Sequence, residues 1–358
     1  MAWTLANRRN LQHYFTTGFA SKYLLLNALL IVFIPPSACK YSNQDPTKYA
    51  NDRGHNQIVY KNNEHPSRRL VKSDLIIGTL TTTLSRMQTV NGSFGLCLKN
   101  LIGMELLDRI YVNVPWAYGV RRKEDNFSIP NELITLSESS SGKLRILRCD
   151  DYGPSTKLLP ILRLPPSEIP PSTMIITFDD DRLYTIDAIR ALVEFGRKFP
   201  TYAITIAAWP ISILSAHGKR GKPGGPIFSS SITSHRAGIQ YVREGPVDLV
   251  LGFYGVLYRA SFFQNYSDIF NYTRNPVFVT SCAWVDDIWF SGHLERLRIT
   301  KYTIGNVEKT RSGITDLSNV EALSLDHGES VKQNHDNVLC AQALRHEYGV
   351  WRKSNSLQ

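Results

Sequence analysis

Apolar segments of strand length alternate with amphipathic segments along residues 75–208, and this alternation limits the folds open to the chain. Strands that alternate with helices form a mainly parallel sheet with helices on both faces. The sequence therefore predicts an α/β fold of the Rossmann-like kind. The predicted strands are 75–81, 108–114, 144–148, 174–178 and 203–208, and the predicted helices are 94–107, 157–164 and 186–195.

The charge of the chain is concentrated before this region. The 358 residues carry a formal charge of +10, and residues 1–69 hold nine Lys and Arg against three acids, a net of +6. Only +4 is left for residues 70–358. A nucleic-acid-binding domain carries its basic residues on the folded surface, interleaved with aromatic residues. The charge distribution therefore argues against a nucleic-acid partner.

An apolar run at residues 23–34 is followed by two prolines, and basic residues precede it. Its length suits the apolar region of a signal peptide, whereas the long basic leader suits an uncleaved type II anchor. A buried core helix is the third alternative. We expect entry into the secretory pathway, as a Golgi membrane protein or a secreted one. The expected organisation is a cytosolic leader (1–22), a signal anchor or signal peptide (23–39), a stem (40–70), one folded domain (71–350) and a tail (351–358).

Two further patterns agree with export. The sequence holds four Asn-x-Ser/Thr glycosylation triplets, which begin at Asn91, Asn126, Asn265 and Asn271. Apart from Cys39, an even set of cysteines lies in the predicted domain: Cys97, Cys149, Cys282 and Cys340. This set is compatible with two disulfides in an oxidising compartment, and three pairings are possible.

Three adjacent acids, Asp179-Asp180-Asp181, directly follow the apolar strand predicted at 174–178. Ligands of open α/β sheets bind at the carboxyl ends of strands. Adjacent carboxylates repel one another, and a divalent cation that prefers oxygen ligands offsets their charge. In an extended chain Asp179 and Asp181 point to one side and share a cation there. The alternative is a solvated turn with three surface acids.

A second acidic pair, Asp286-Asp287, lies between bulky apolar residues in the segment 283–293. Desolvation by such neighbours raises the pKa of a carboxyl and suits a general base. One of the two acids is expected to cap a helix over 288–297, and the other is expected to be catalytic.

Taken in order, five segments resemble the GT-A family of glycosyltransferases, as found among Golgi-type nucleotide-sugar transferases. The resemblance spans about residues 75–350. The segment 81–86 resembles the first-strand nucleotide loop, 151–157 the segment before the metal motif, 179–181 the D-x-D motif, 252–259 the glycine loop and 285–287 the second acidic motif.

This resemblance implies a single GT-A catalytic domain that moves a sugar from a nucleotide-sugar donor to a hydroxyl of a glycan or glycoprotein, with inversion. It implies Mn²⁺ or Mg²⁺ held by Asp179, Asp181 and a C-terminal histidine, with His335 preferred to His327. Donor contacts are assigned to Arg86, Asp151, Lys157, Asp180, Gly252 and Gly255. The base is Asp287, with Asp286 beside it.

Two other functions remain open from the sequence. A metal-dependent phosphoryl hydrolase also clusters aspartates at strand ends. A secreted protein that binds carbohydrate or nucleotide-sugar without catalysis would keep the same fold.

Overall fold

The computed structural model describes residues 74–88, 92–118, 127–211, 214, 244–273, 275–304, 314–317 and 327–351, of which 272–273 and 327–335 are described by their backbone only. The predicted leader, apolar segment and stem therefore lie outside the described residues, as do Asn91 and Asn126. Within the described part of the chain, no helix is long and apolar enough to cross a membrane.

Ten strands and seven α-helices make up the described structure. The strands are β1 Ile76–Thr81, β2 Arg109–Pro115, β3 Leu144–Cys149, β4 Met174–Thr177, β5 Arg182–Leu183, β6 Tyr202–Trp209, β7 Gly245–Pro246, β8 Leu249–Arg259, β9 Thr300–Thr303 and β10 Thr315–Asp316. The helices are α1 Leu84–Met87, α2 Ser93–Ile102, α3 Asn131–Ser139, α4 Ile186–Lys198, α5 Pro276–Ser281, α6 Asp286–Arg296 and α7 His327–Tyr348.

Eight strands form one mixed sheet in the order β3-β2-β1-β4-β8-β6-β9-β7. Strands β3, β2, β1 and β4 are parallel to one another, and β6 is parallel to β9. Strand β8 runs antiparallel to both of its neighbours, and β7 runs antiparallel to β9. The predicted α/β class, a mainly parallel mixed sheet, is therefore confirmed.

Helices cover both faces of this sheet. Alternate residues of β1 point to opposite faces, so Ile76 and Leu80 join one buried cluster and Ile77 joins the other. The first cluster includes apolar residues of α2 and α4, and the second includes residues of α6 and α7. Because both faces are buried, the strands read as nearly continuous apolar runs, which is why the sequence revealed them.

The helix predicted at 157–164 is wrong. Two 3₁₀ turns, Gly153–Lys157 and Ile161–Arg163, occupy this region. Pro160 lacks a backbone N–H and cannot continue an α-helix through the segment. Two more 3₁₀ turns, Ala260–Phe263 and Ser267–Thr273, follow β8.

One of the two expected disulfides is present. Cys282 bonds to Cys340 and ties the end of α5 to α7. The second is wrong, because Cys97 and Cys149 are free, buried thiols. The sulfur of Cys97 lies 3.4 Å from the carbonyl oxygen of Asp179, just past β4. Cys149 ends β3, three strands away from β4, a separation of about 14 Å that no disulfide spans.

We expect the disulfide to carry a large share of the stability. It closes a loop of 58 residues, which corresponds to about 4 kcal/mol of unfolding free energy. A Cys282→Ala/Cys340→Ala double variant should therefore unfold at lower urea and lose its sensitivity to reductant. A Cys149→Ser variant should keep that sensitivity. Urea unfolding with and without dithiothreitol measures both, and equal midpoints for reduced and oxidised wild type would contradict the expectation.

Candidate functional site

The three adjacent acids lie at the carboxyl end of β4, where the strand order of the sheet reverses. From β1 the chain passes outward to β2 and then β3, whereas β4 lies on the other side of β1. A crevice forms at such a point in an open α/β sheet, and ligands bind there. The predicted placement of Asp179, Asp180 and Asp181 at a strand end is therefore confirmed.

The arrangement of the three carboxylates differs from the sequence prediction. The chain turns at Asp180 and Asp181 instead of continuing as a strand. As a result Asp180 and Asp181 both contact Arg86, and Asp179 contacts Lys157. The expectation that Asp180 points away from Asp181 is thus wrong, because it assumed an extended backbone. Asp179 and Asp181 remain close enough for the charge of Asp179 to raise the pKa of Asp181.

Arg86 is a buried cation that holds two of the acids. It lies on the short helix α1, after the β1 loop, and its Nη1 bonds to Asp180 while its Nη2 lies 3.2 Å from Asp181 Oδ2. The hydroxyl of Thr82 donates to the other oxygen of Asp180 at 2.5 Å. Both oxygens of Asp180 are therefore engaged by the protein, and its side chain is only 13% exposed.

Lys157 joins the two acidic clusters. Its Nζ lies 2.5 Å from Asp179 Oδ1 and 3.1 Å from Asp286 Oδ2. Its backbone carbonyl accepts hydrogen bonds from Thr79 Oγ1 at 2.6 Å and from Asn113 Nδ2 at 3.2 Å. The lysine is thus fixed at its backbone by β1 and β2 and at its ammonium by acids more than 100 positions apart in the chain.

Asp286 and Asp287 lie in the first turn of α6. The expected cap is wrong: Val285 occupies the N-cap position and neither acid caps the helix. Acids in the first turn are instead favoured by the positive end of the helix dipole. Asp287 Oδ1 accepts a hydrogen bond from the backbone N–H of Gly252 at 2.8 Å. That bond ties the helix to β8.

Both predicted glycines lie where β8 bulges beside the acids. Four residues of β8, 252–255, face the single residue 206 of β6, because the register shifts between Thr205 and Ala207. Gly255 has a φ of +92°, a conformation that favours glycine. A Cβ on Gly252 would lie 3.0 Å from Asp287 Oδ1 and 3.3 Å from Lys157 Nζ. Glycine at 252 therefore permits the close approach of β8 to the acids.

Sequence reasoning missed two residues that hold this arrangement. The hydroxyl of Tyr184 accepts from the N–H of Asp179 at 2.9 Å and lies 3.5 Å from the carbonyl of Phe253. Arg182 lies 5.3 Å from the ring centroid of Phe253 and 3.9 Å from Asp181. Arg182 directly follows the three acids, so its position was a usable signal. Nothing in the sequence pattern marked Tyr184.

Asn113 was also missed, although a polar residue inside the apolar strand β2 was a visible signal. Its Nδ2 donates to Thr79 Oγ1 and to the carbonyl of Thr156, both at 2.9 Å. It thereby anchors the loop that carries Lys157.

Asp151 and His335 were predicted as a donor contact and a metal ligand, respectively. The Asp151 carboxylate accepts from the N–H of Gly153 at 2.8 Å, at the start of the 3₁₀ turn that leads to Lys157. His335 lies on α7, as does His327, and the side chains of both fall outside the described residues. Their assignment to a metal stays a prediction.

Burial and charge move the pKa values of these acids in different directions. Burial raises the pKa of Asp287 well above its ordinary value, Asp286 raises it further, and Lys157 opposes both. Burial also raises the pKa of Asp181, to about 6, together with the charges of Asp179 and Asp180. Burial also acts to raise the pKa of Asp179, but the ion pair and hydrogen bond with Lys157, together with the charges of Arg182 and Arg86, outweigh burial, so this pKa is lowered.

The donor set fits a hard divalent cation in its chemistry and in its charge. Among the described residues, this network holds more acids than bases, and the acids offer only oxygen ligands. The acids are Asp179, Asp180, Asp181, Asp286, Asp287 and Asp316, and the bases are Arg86, Lys157 and Arg182. Among the described residues no group of three or more His, Cys, Asp or Glu side chains is arranged to hold a metal by itself. One or two carboxylates together with substrate phosphates suffice for Mg²⁺.

We expect Gly252→Ala to lower activity while leaving the fold intact. The added methyl group would push Asp287 and Lys157 away from β8 by a few tenths of an ångström, and small displacements of reacting groups cost up to about 100-fold in rate. Gly103→Ala is the matched control, because its Cβ would meet neighbours no closer than 3.5 Å. Turnover and thermal unfolding of both variants measure the difference, and full activity of Gly252→Ala would contradict the close approach.

Comparison with known proteins gives a similarity of fold only. No family model matches the chain, and no curated protein matches its sequence. A cytidylyltransferase from Francisella tularensis, 2-C-methyl-D-erythritol 4-phosphate cytidylyltransferase, is 14% identical over 65% of this chain and 90% of its own, with a TM-score of 0.38. TarS residues 1–349 from S. aureus, in complex with UDP, is 12% identical over 78% of this chain and 73% of its own, with a TM-score of 0.36.

A third similar structure is 4-diphosphocytidyl-2C-methyl-D-erythritol synthase from Anaerococcus prevotii, 12% identical over 76% of this chain and 96% of its own, with a TM-score of 0.40. The similar structures include a cytidylyltransferase and a protein in complex with UDP. At these scores and identities they decide neither the activity nor the substrate of this chain.

Proposed function

We propose that this chain is a metal-dependent glycosyltransferase that moves a sugar from a nucleotide-sugar to a hydroxyl of a glycan or glycoprotein, with inversion. The observation that carries the proposal is the link made by Lys157 between Asp179 at the end of β4 and Asp286 at the start of α6. An acidic cluster suited to a cation and diphosphate thus lies next to Asp287, a half-buried carboxyl with a raised pKa.

The two acidic clusters are assigned different roles, and the acids after β4 are assigned the binding of the cation. Asp179 and Asp181 have the most exposed carboxylates of the three adjacent acids, 26% and 19%, so they are the ones assigned to Mn²⁺ or Mg²⁺. When bound, that cation supplies Lewis-acid stabilisation of the leaving diphosphate. Asp180 orients Arg86 and Thr82, and Arg86 contributes positive charge beside the cluster.

Asp287 is assigned the proton transfer. As a carboxylate it would take the proton of the acceptor hydroxyl while that oxygen attacks the sugar. Its Oδ1 is fixed by the N–H of Gly252. Glycine at 252 lets Asp287 and Lys157 lie close to the backbone of β8, where a Cβ would displace them.

Activity should fall as the pH decreases through the raised pKa of Asp287. A base must be ionised to accept a proton, and burial and Asp286 raise this pKa, so the acidic limb should lie well above the ordinary aspartate value of about 3.9. The pH profile of kcat/KM measures the limb. A profile that is flat down to about pH 4 would contradict the assignment.

The function is tested with a panel of nucleotide-sugars, with Mn²⁺ or with EDTA. We expect Mn²⁺-dependent release of nucleoside diphosphate from one of the donors. Phosphate release from simple phosphate esters without nucleotide preference would support a phosphoryl hydrolase instead. Tight nucleotide-sugar binding without turnover would support a binding protein, and release of pyrophosphate from a nucleoside triphosphate would support nucleotidyl transfer.

A further inference from the structure

Two glycosylation triplets lie in the described residues, and their surroundings differ. Asn265 lies in the turn between the 3₁₀ turns Ala260–Phe263 and Ser267–Thr273, with a φ of +59°, which asparagine tolerates. Asn265 and Ser267, the two residues that a glycosylating enzyme must reach, are both exposed. The geometry of this triplet thus leaves the side-chain amide and the hydroxyl accessible.

Asn271 begins the second triplet and is less accessible. Its Nδ2 donates to Asp268 Oδ1 at 2.9 Å, and its side chain is half-buried within the 3₁₀ turn. Asp268 in turn pairs with Arg296 of α6 at 2.6 Å. Modification of Asn271 would place a sugar on the nitrogen that contacts Asp268, whereas Asn265 makes no side-chain hydrogen bond within the described residues.

Asn265 also lies away from the acidic clusters. Strand β8 is antiparallel to β4, so Arg259 at the end of β8 pairs with Met174 at the start of β4. The acids follow the other end of β4, about 13 Å further along the strand direction. A chain that leaves β8 after Arg259 therefore emerges at the edge of the sheet opposite the acids. A bulky, hydrated group at Asn265 would leave the crevice open.

The chemistry of the chain is consistent with an oxidising compartment, where this modification takes place. The chain contains a disulfide between Cys282 and Cys340. Disulfides form and persist in secreted and lumenal proteins and are rare in the cytosol. The apolar segment at 23–34 has the length of a signal region. These two observations are independent of the proposed glycosyltransferase activity.

We propose that Asn265 is an N-glycosylation site, and that Asn271 is left unmodified. The co-substrate is a lipid-linked oligosaccharide diphosphate. A bond forms between Asn265 Nδ2 and the anomeric carbon of the first sugar, and the bond from that carbon to the diphosphate oxygen breaks. The amide loses one proton and the lipid diphosphate leaves with the bonding electron pair, so no oxidant or reductant is required.

The test uses the full chain expressed in a secreting eukaryotic cell line, as wild type, Asn265→Gln and Asn271→Gln. We expect Asn265→Gln to migrate faster than wild type by one glycan, and Asn271→Gln to migrate with wild type. Digestion with peptide:N-glycosidase should bring all three to one mobility. Because Asn91 and Asn126 carry triplets too, glycopeptide mass spectrometry of the peptide that contains Asn265 identifies the site directly.

Three outcomes would overturn the proposal: an unmodified Asn265 peptide, a mobility change with Asn271→Gln instead, or a chain that stays unglycosylated in the cytosol. Asn265→Gln should keep wild-type turnover of any donor found, because Asn265 follows the end of β8 that lies opposite the acids. A glycosylated but inactive wild type would contradict the proposed activity and leave the glycosylation site supported, so the two failures are distinguishable.

Discussion

Replacement of Asp287 by Asn should lower kcat by about 10²–10⁴-fold while KM for the donor changes little. The amide oxygen of asparagine can still accept the hydrogen bond from the N–H of Gly252, so the geometry at β8 is kept. What is lost is the ability to accept a proton from the attacking hydroxyl. Steady-state kinetics with the donor identified by the panel measure the change, and thermal unfolding checks that the variant is folded.

Two further variants make this result specific. Asp286→Asn should lower kcat less than Asp287→Asn does, because Asp286 is paired with Lys157 and its charge only raises the pKa of Asp287. Asp187→Asn changes an exposed acid of α4, six positions after Asp181, and should leave turnover unchanged. A kcat for Asp287→Asn within about threefold of wild type would remove Asp287 as the base.

The second large effect is expected from Asp181→Asn. This substitution removes one of the two carboxylates assigned to the cation but keeps a side chain of the same size beside Arg86. We expect kcat/KM to fall by about 100-fold or more. A bound cation stabilises the transition state by several kcal/mol, and each loss of about 1.4 kcal/mol lowers the rate tenfold. The dependence of activity on Mn²⁺ concentration should move to higher concentrations.

Metal binding can be measured without turnover. Calorimetric titration of Mn²⁺ in the presence of a nucleoside diphosphate should give weaker binding for Asp181→Asn than for wild type. Asp187→Asn again serves as the control, because its carboxylate is 70% exposed and pairs only with Arg190 in the described structure. An unchanged Mn²⁺ titration of Asp181→Asn would show that Asp181 is not a ligand.

The sequence predicted five of the eight strands of the sheet, β1, β2, β3, β4 and β6, because they read as apolar runs. It did not predict β7, β8 and β9, and residues 252–259, interpreted as a glycine loop, belong to the central strand β8. It also predicted where the acids lie, since Asp179 directly follows such a run. It could not predict the turn at Asp180 and Asp181. Their orientation depends on Arg86, which comes from the β1 loop more than 90 residues earlier, and such a pairing leaves no local signal.

Lys157 illustrates the same difficulty. A lone lysine usually lies on the surface, and only the folded chain shows its ammonium held between Asp179 and Asp286. The 3₁₀ turns around it were predictable in part, since Pro160 excludes a continuous helix. The pairing of Cys282 with Cys340 was one of three possibilities, because a sequence does not tell which cysteines meet.

The central claim is that Asp287 and the acids after β4 transfer a sugar with the help of a cation. It is tested most directly by incubating the protein with Mn²⁺, the donor that is turned over and a hydroxyl acceptor, and analysing the product by NMR. The account predicts a new glycosidic bond of inverted anomeric configuration, equimolar nucleoside diphosphate and no product in EDTA. Transfer with retained configuration would contradict the role of Asp287, and equal transfer in EDTA would contradict the role of the cation.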